Sequence, residues 1–225
     1  MSVLRQISEL LARDRVPSEE HRRRFYDALH RESRRLHWLI ENLLDFGSME
    51  AGCARYELVP MDVSEFVSSV CCEFQAQLGD ANHIIETSLD TACPRVRGDS
   101  EALGRALWNL LDNAVKYSPD SPCIQVETAR AEDARVIIRV RDSGLGIPPA
   151  EQKEVFRKFV RGTNAAGRAI KGTGLGLALV DHIVRAHKGE IHLESMPGRG
   201  STFTMIFPAD QEAGQVGAGG PPALR

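Results

Sequence analysis

Asp142-Ser143-Gly144-Leu145-Gly146-Ile147 places a carboxylate at the end of a predicted strand and two glycines just after it. In the stretch before it, 135–141, Val136, Ile138 and Val140 alternate with Arg135, Ile137, Arg139 and Arg141. That is the period of a half-buried strand. The chain must then stop and turn, and glycine permits backbone angles that a side chain forbids. A carboxylate fixed there can accept a hydrogen bond from a ligand amino group, and the glycines let a ligand lie against bare backbone. A plain surface turn has the same composition, so the neighbouring segments decide the reading.

The chain has 225 residues, enough for one full domain and a smaller element. Its 42% hydrophobic and 26% charged content places it among ordinary globular proteins. A net charge of −3 gives no global pull toward nucleic acid or anionic membrane. Five cysteines, an odd number without a CxxC pair, suggest reduced thiols in a cytosolic setting. Adjacent Cys71 and Cys72 read as core filling. No apolar run approaches the ~20 residues that span a bilayer, and no signal peptide precedes the first helix. A soluble protein is expected, with no membrane segment in this chain, and it can equally be the cytosolic end of something longer.

Residues 1–12 form an amphipathic pattern with Leu4, Ile7, Leu10 and Leu11 on one side. After a turn at 13–17, Ser18 is a good N-cap, with Glu19 and Glu20 where the helix dipole favours acids. The helix that follows runs to about Met49. Phe25, Leu29, Glu32, Leu36, Leu39, Leu43 and Phe46 are spaced alternately by four and three, the seam of a coiled coil or antiparallel bundle. Two helices cannot shield such seams alone. A homodimeric four-helix bundle through residues 19–49 is the expected completion.

Gly52 and Pro60 break the helical pattern and mark a linker or first strand over 51–60. Helices are then expected over 63–78, from Asp99 to Tyr117, over 149–155 and over 175–187. Strands are expected over 83–89, 95–97, 124–128 and 135–141, with a closing hairpin of 190–195 and 202–207. The polar, glycine-containing stretch 157–173 is too long for a simple connection and reads as a mobile lid. After Pro208 the composition turns to Gly, Ala and Pro, the pattern of a disordered tail. The fold class is α+β, with helices on one face of a mixed sheet. The expected domains are 1–52, 53–208 and a tail of 209–225.

Four segments carry the chemistry. In Asn109-Leu-Leu-Asp-Asn113-Ala-Val-Lys116-Tyr117, the two amides stand four apart on one helical face and Lys116 follows three later. Neutral oxygens beside a cation suit a magnesium–phosphate cluster, because Mg²⁺ prefers hard oxygen ligands and shares them with phosphates. The hexapeptide is the second. The third, Glu154-Val-Phe156-Arg-Lys-Phe159-Val-Arg161-Gly162, puts two aromatics and a basic cluster ahead of the lid. The fourth, Lys171-Gly172-Thr173-Gly174-Leu175-Gly176-Leu177, runs glycines into a helix, whose N-terminal amides form a phosphate site. A dinucleotide fingerprint fails, because the glycine spacing is tighter and no strand precedes it. No G-x-x-x-x-G-K-[ST] loop occurs.

In series, and with Gly198-Arg-Gly200-Ser-Thr202 last, these segments resemble the N, G1, F, G2 and G3 boxes of sensor histidine kinases. The ATP-binding domain of that family has the Bergerat fold shared with DNA gyrase and mismatch-repair ATPases. The resemblance covers roughly 60–208, and the helices before it are similar to the family's dimerisation and phosphoacceptor domain. It implies ATP and Mg²⁺ as cofactors, a response-regulator receiver domain as partner, and no nucleic acid. It implies a cytoplasmic chain, on its own or as the cytosolic part of a membrane-bound sensor.

The resemblance also implies roles for particular residues. Asp142 accepts the adenine amino group, Gly144, Gly146 and Ile147 admit the base, and Asn113 ligates Mg²⁺. Asn109, Lys116 and Tyr117 face the phosphates or ribose. Phe156 and Phe159 anchor the lid, and Arg161 approaches the phosphates. Gly172, Thr173, Gly174, Leu175, Gly176 and Leu177 close over the triphosphate, and Thr202 lies on the adenine side. Related hydrolases carry a glutamate at the position of Asn109 as general base. An amide cannot take that proton, so transfer to a protein side chain is favoured over hydrolysis.

The chain departs from the family at the phosphoacceptor. No histidine is followed by an acid and a Thr-Pro step, and aligning 4–11 with the family's first helix puts the acceptor upstream of Met1. His21, His30 and His37 lie in the second helix, in settings unlike the acceptor's. The expectation is a kinase domain that phosphorylates a histidine absent from these residues. The alternatives are an ATP-dependent regulator of phosphatase or binding type, and an anti-sigma-type serine kinase.

Overall fold

The computed structural model describes Ile7 and residues 9–13, 18–50, 55–78, 83–131, 133–160 and 173–210. The chain divides into two compact units, Met1–Ala54 and Arg55–Arg225. The expected tail beyond 210 lies outside the described residues, as does most of the expected lid.

In the first unit, Ile7 and 9–12 are helical, and a 32-residue helix, α1, spans Glu19–Glu50. Ser18 starts it: its Oγ accepts from His21 N at 3.3 Å and its carbonyl from Arg22 N at 3.0 Å. Glu19 and Glu20 in the first turn pair with Arg22 and Arg24 one turn on. These pairs are exposed and worth little beyond their fit to the dipole. Leu36, Ile40, Leu43 and Leu44 are 41, 54, 59 and 61% exposed. At spacings of four, three and one they form a single stripe.

The second unit opens with β1 (Val59–Met61), which pairs antiparallel with β3 (Val96–Gly98) in a small separate sheet. Helix α2 (Val63–Leu78) begins at Asp62, whose Oδ1 accepts from Glu65 N at 2.9 Å. The main sheet is built from β2 (Ile84–Leu89), β4 (Cys123–Arg130), β5 (Val136–Asp142), β6 (Glu190–Met196) and β7 (Gly200–Phe207). Its order is β2-β4-β5-β7-β6, with β2 parallel to β4 and the other pairs antiparallel. Helices α2, α3 (Ser100–Tyr117) and α4 (Gly176–Ala186) pack on one face. The α+β architecture is the one expected, with the strands of the main sheet and the three helices packed on it displaced by no more than a residue or two.

Alternation explains the layering. Val136, Ile138 and Val140 point to the helices and are at most 1% exposed, as are Ile124 and Val126 of β4. Leu107, Leu110 and Leu111 of α3 are fully buried against them, and Leu179, Val180 and Ile183 of α4 nearly so. Each such side chain contributes about 1.5–3 kcal/mol of burial. The opposite face carries Gln125, Arg139, Arg141, Thr202 and Thr204, half-buried or exposed.

Asp99 caps α3, its Oδ1 accepting from Glu101 N and Ala102 N and its Oδ2 from Glu57 N, all at 3.0–3.1 Å. The amide of Asp99 donates to His187 Nε2 at 3.0 Å, while His187 Nδ1 donates to Ile183 O at 2.7 Å. A carbonyl can only accept, so His187 is held as the neutral Nδ1–H tautomer. The helix expected over 149–155 is instead a run of turns ending in one 3₁₀ turn at Glu154–Phe156. Glu151, Gln152 and Glu154 amides bond three residues back, the tighter pattern.

Candidate functional site

Asp142 ends β5 opposite Ser201 and is 5% exposed. Its Oδ1 accepts from Gly144 N at 2.9 Å. Burial pushes the carboxyl above its ordinary value, and the backbone amides of Gly144 and Ser201 partly offset that. A carboxylate offers about four acceptor positions, so this one retains capacity for a ligand donor.

The loop after it is pinned to two other elements. Leu145 N donates to Tyr117 O at 2.9 Å, at the end of α3, and Gly198 N donates to Leu145 O at 2.8 Å, in the β6–β7 turn. A Cβ at Gly144 would lie 2.1 Å from Tyr117 O, and one at Gly146 2.0 Å from Met196 O. Gly146 also has a φ of +66°. The expected reading gave these glycines to a ligand. In the structure their missing side chains make room for protein backbone, which is why the loop can sit so close to α3 and the hairpin. A recess of about 540 Å³ opens here, lined by residues 117–120, 143–145, Pro197 and Gly198. Asn109, Asn113 and Asp142 are not among its walls, so it adjoins the carboxylate rather than enclosing it.

The two amides expected to act together differ. Asn109 is 2% exposed, and its Nδ2 donates to Arg105 O at 2.9 Å. Its Oδ1 would stand 2.7 Å from a Cβ at Gly176. The glycine that opens α4 is thus what lets that helix meet Asn109. Asn113 is half-buried. Lys116 is half-buried and contacts Asp112 on its own helix. Helix α4 begins without a side-chain cap at Leu175, whose side chain is buried. Leu177 is half-buried and Thr173 exposed.

At the lid, the Phe156 ring meets Phe203 edge-on, with centroids 6.4 Å apart. The Phe159 ring is 69% exposed and its φ is +61°. Its hold is through the backbone, Phe159 N donating to Gly174 O at 2.9 Å, which brings the two ends of the segment together. Arg161 and Gly172 lie outside the described residues. Thr202 pairs with Arg141 and Glu194, on the open face of the sheet. The hydroxyl on Asp142's face is Ser201, because a one-residue step in a strand reverses the side.

Sequence reasoning missed Ser195 and Gln152. Ser195 Oγ accepts from Ile147 N at 2.7 Å and donates to Gly200 O at 2.9 Å. Gln152 Nε2 reaches Ile147 O at 3.1 Å and Ser195 O at 2.8 Å. A serine at a position where Ile191 and Leu193 set an inward alternation was the available signal.

Among the described residues no group of three or more His, Cys, Asp or Glu could hold a metal by itself. Half-buried Asn113 carries an amide oxygen of the kind a magnesium ion takes beside phosphates and water, and the start of α4, which has no side-chain cap, presents backbone amides of the kind that hold phosphate.

A buried carboxylate at a strand end, an amide-bearing helix and an uncapped helix start on a one-sided sandwich define a nucleotide-binding domain. The model of the family described as histidine kinase-, DNA gyrase B-, and HSP90-like ATPase matches residues 98–211, and the chain belongs to that family. It is 36% identical over 194 residues to the circadian input-output histidine kinase CikA of Synechococcus elongatus, covering 85% of this chain and 26% of that protein. It is 36% identical over 191 residues to the sensor-like histidine kinase SenX3 of Mycobacterium tuberculosis, covering 85% and 46%. The solved mycobacterial sensor histidine kinase MprB is 28% identical, covering 68% of this chain and 97% of that one, with a TM-score of 0.57. The chain spans less than half the length of both curated relatives. Among the described residues no helix is long and apolar enough to cross a membrane.

Proposed function

We propose that this chain binds MgATP and transfers its γ-phosphoryl group to a histidine on an acceptor helix, for relay to the receiver domain of a response regulator, in the cytoplasm. Residues 53–208 are the catalytic domain in this reading, and 1–52 the dimerising one. The observation that carries it is Asp142, a buried carboxylate held by its own turn at the end of β5. Asp142 accepts from the base amino group. Asn113 holds the magnesium ion, which neutralises charge on the phosphates. The N-terminal amides of α4 face the triphosphate. Asn109 is an amide and takes no proton, so water is not activated beside it. In the transfer, the bond from the γ-phosphorus to its bridging oxygen breaks, a phosphorus–nitrogen bond forms, and ADP leaves. The exposed stripe of Leu36, Ile40, Leu43 and Leu44 supports pairing with a second copy.

The test is incubation of the purified chain with γ-labelled ATP and Mg²⁺, alone and with a separate polypeptide bearing an acceptor helix. Acid-labile label on that helix, absent when its histidine is alanine, is the expected result. Nucleotide binding without transfer overturns the kinase reading in favour of an ATP-gated regulator. Label on the chain itself assigns the acceptor to His21, His30 or His37.

A further inference from the structure

On β5, β7 and β6 the core face carries apolar rows that lead up to a polar one. Reading across β5, β7 and β6, one row is Ile138, Met205 and Ile191, and the next is Val140, Phe203 and Leu193. The third is Asp142, Ser201 and Ser195. Three polar residues in register replace three apolar ones where the expected base-binding carboxylate stands. Ser201 is 6% exposed and Ser195 half-buried. The row is part of the packed interior, and its hydroxyls are engaged with the protein.

The bonding fixes the direction of each hydroxyl. A serine hydroxyl has one proton and two acceptor positions. Ser195 gives its proton to Gly200 O and accepts from Ile147 N. Ser201 Oγ lies 3.0 Å away, so with the proton of Ser195 spent, Ser201 is the donor in that contact. Ser195 thus joins three segments around Asp142: the loop after it, the turn at Gly200, and the residue paired with it. Gln152 adds two bonds from the other side of the loop, to Ile147 O and Ser195 O. Two further ties of this loop, Leu145 to Tyr117 and Gly198 to Leu145, are backbone bonds that survive any side-chain change. Asp142 holds the near end of the loop through Gly144 N, and Ser195 and Gln152 hold its far end through side chains.

We propose that Ser195 and Gln152 are positioning residues for base recognition. By fixing the loop 143–147 against the β6–β7 hairpin, they set where the Asp142 carboxylate points, and so how strongly the site prefers a purine carrying a 6-amino group. The proposal rests on the ATP-binding reading and deepens it. Neither residue touches the nucleotide; each acts through the loop.

The experiment compares the full chain with its Ser195→Ala, Ser195→Thr and Gln152→Met variants. It measures affinity for MgATP and for the magnesium complex of purine riboside triphosphate, which lacks the amino group, alongside thermal unfolding. The wild type should favour ATP by about tenfold, the worth of one hydrogen bond to a charged acceptor. Ser195→Ala should lose most of that preference by weakening ATP alone, with the desamino nucleotide bound as before. Gln152→Met should lose about half of it on a logarithmic scale, and Ser195→Thr, which keeps the hydroxyl, should restore it. A merely structural role would lower both affinities together or lower only the melting temperature, and either result overturns the proposal. So does an unchanged preference in Ser195→Ala. Should Ser195→Ala not fold, Gln152→Met decides by the same ratio. A wild type that binds neither nucleotide overturns the ATP reading itself, a different failure from a wild type that discriminates while its variants discriminate equally well.

Discussion

Helices α1 and α3 carry apolar repeats of the same kind and dispose of them differently. In α3, Leu103, Leu107, Leu110 and Leu111 are at most 2% exposed, covered by the sheet and by α4. In α1, Leu36, Ile40, Leu43 and Leu44 are 41–61% exposed. The helix repeat specifies a face that must leave water, but not what covers it. For α3 the cover comes from β4, β5, α2 and α4, all encoded in the same chain. For α1 the described residues leave the stripe exposed, and pairing with a second copy is the cover proposed for it, while that of α3 is a core.

The largest effect should come from testing that difference directly. Leu110→Ala removes a fully buried side chain and should cost about 2–5 kcal/mol of the second unit's stability, read from denaturant unfolding. Leu43→Ala should leave that transition unmoved and instead weaken self-association, read by sedimentation at several concentrations. Equal losses of stability from the two variants would break the comparison.

The second effect is on the ligand. Asp142→Asn should weaken MgATP by about 1.5–3 kcal/mol, the worth of a hydrogen bond to a charged group, with the fold kept. Titration calorimetry measures it, and an unchanged affinity would remove Asp142 from the site. The neighbouring Asn113→Ala should abolish the magnesium dependence of binding. Neither variant touches α1, so sedimentation should be unaltered by both.

Much of this was legible because local rules and long-range packing agreed. Asp62, Asp99 and Ser18 cap helices where their sequence positions said they would. The alternation in β5 named its buried face correctly. What was not legible depended on register. Nothing within 198–202 says whether Ser201 or Thr202 shares a face with Asp142. The pairing of β7 with β5 decides it, and it decides for Ser201. The same holds for Ser195 and Gln152, forty to fifty residues apart in sequence from one of their partners or the other, and visible only once the hairpin is folded onto the loop. Phe159 is different again: its backbone amide bonds Gly174 O while its ring stays exposed, a division that its place in the sequence does not show.

A third, smaller effect separates two carboxylates within the second unit. Burial raises the Asp142 carboxyl, so the folded state holds that proton more tightly than the unfolded chain does. Its contribution is fully present below the ordinary carboxylate value and is lost as pH rises through the raised one. Burial also pushes Asp99 up, but the amides of Ala102, Glu57 and Glu101 outweigh it and hold the carboxyl low. Its contribution is present above the ordinary value and is lost as pH falls through the lowered one. Unfolding midpoints of Asp142→Asn and Asp99→Asn across the acid range should therefore deviate from wild type in opposite directions. The ligand-free Asp142→Asn protein should be at least as stable as wild type at neutral pH, which a purely structural aspartate would not allow.

The smallest effect returns to the two helices, at their first residues. Asp99 ties down three amides, one of them Glu57 from the segment that enters the unit, and its own amide is received by His187. Ser18 accepts one amide at 3.3 Å on an exposed helix start. Loss of an N-cap costs about 0.5–2 kcal/mol, the larger values belonging to caps within a packed structure. Asp99→Ala should fall at the upper end and appear in the global unfolding transition of the second unit. Ser18→Ala should fall at the lower end and appear as faster amide exchange over the first turn of α1, with unfolding of the second unit unchanged. If Ser18→Ala moved that transition as far as Asp99→Ala does, the start of α1 would share the cooperative unit of the ATP-binding domain, and the contrast between a helix that ends in a core and a helix that ends in a surface would not hold at its N-terminus.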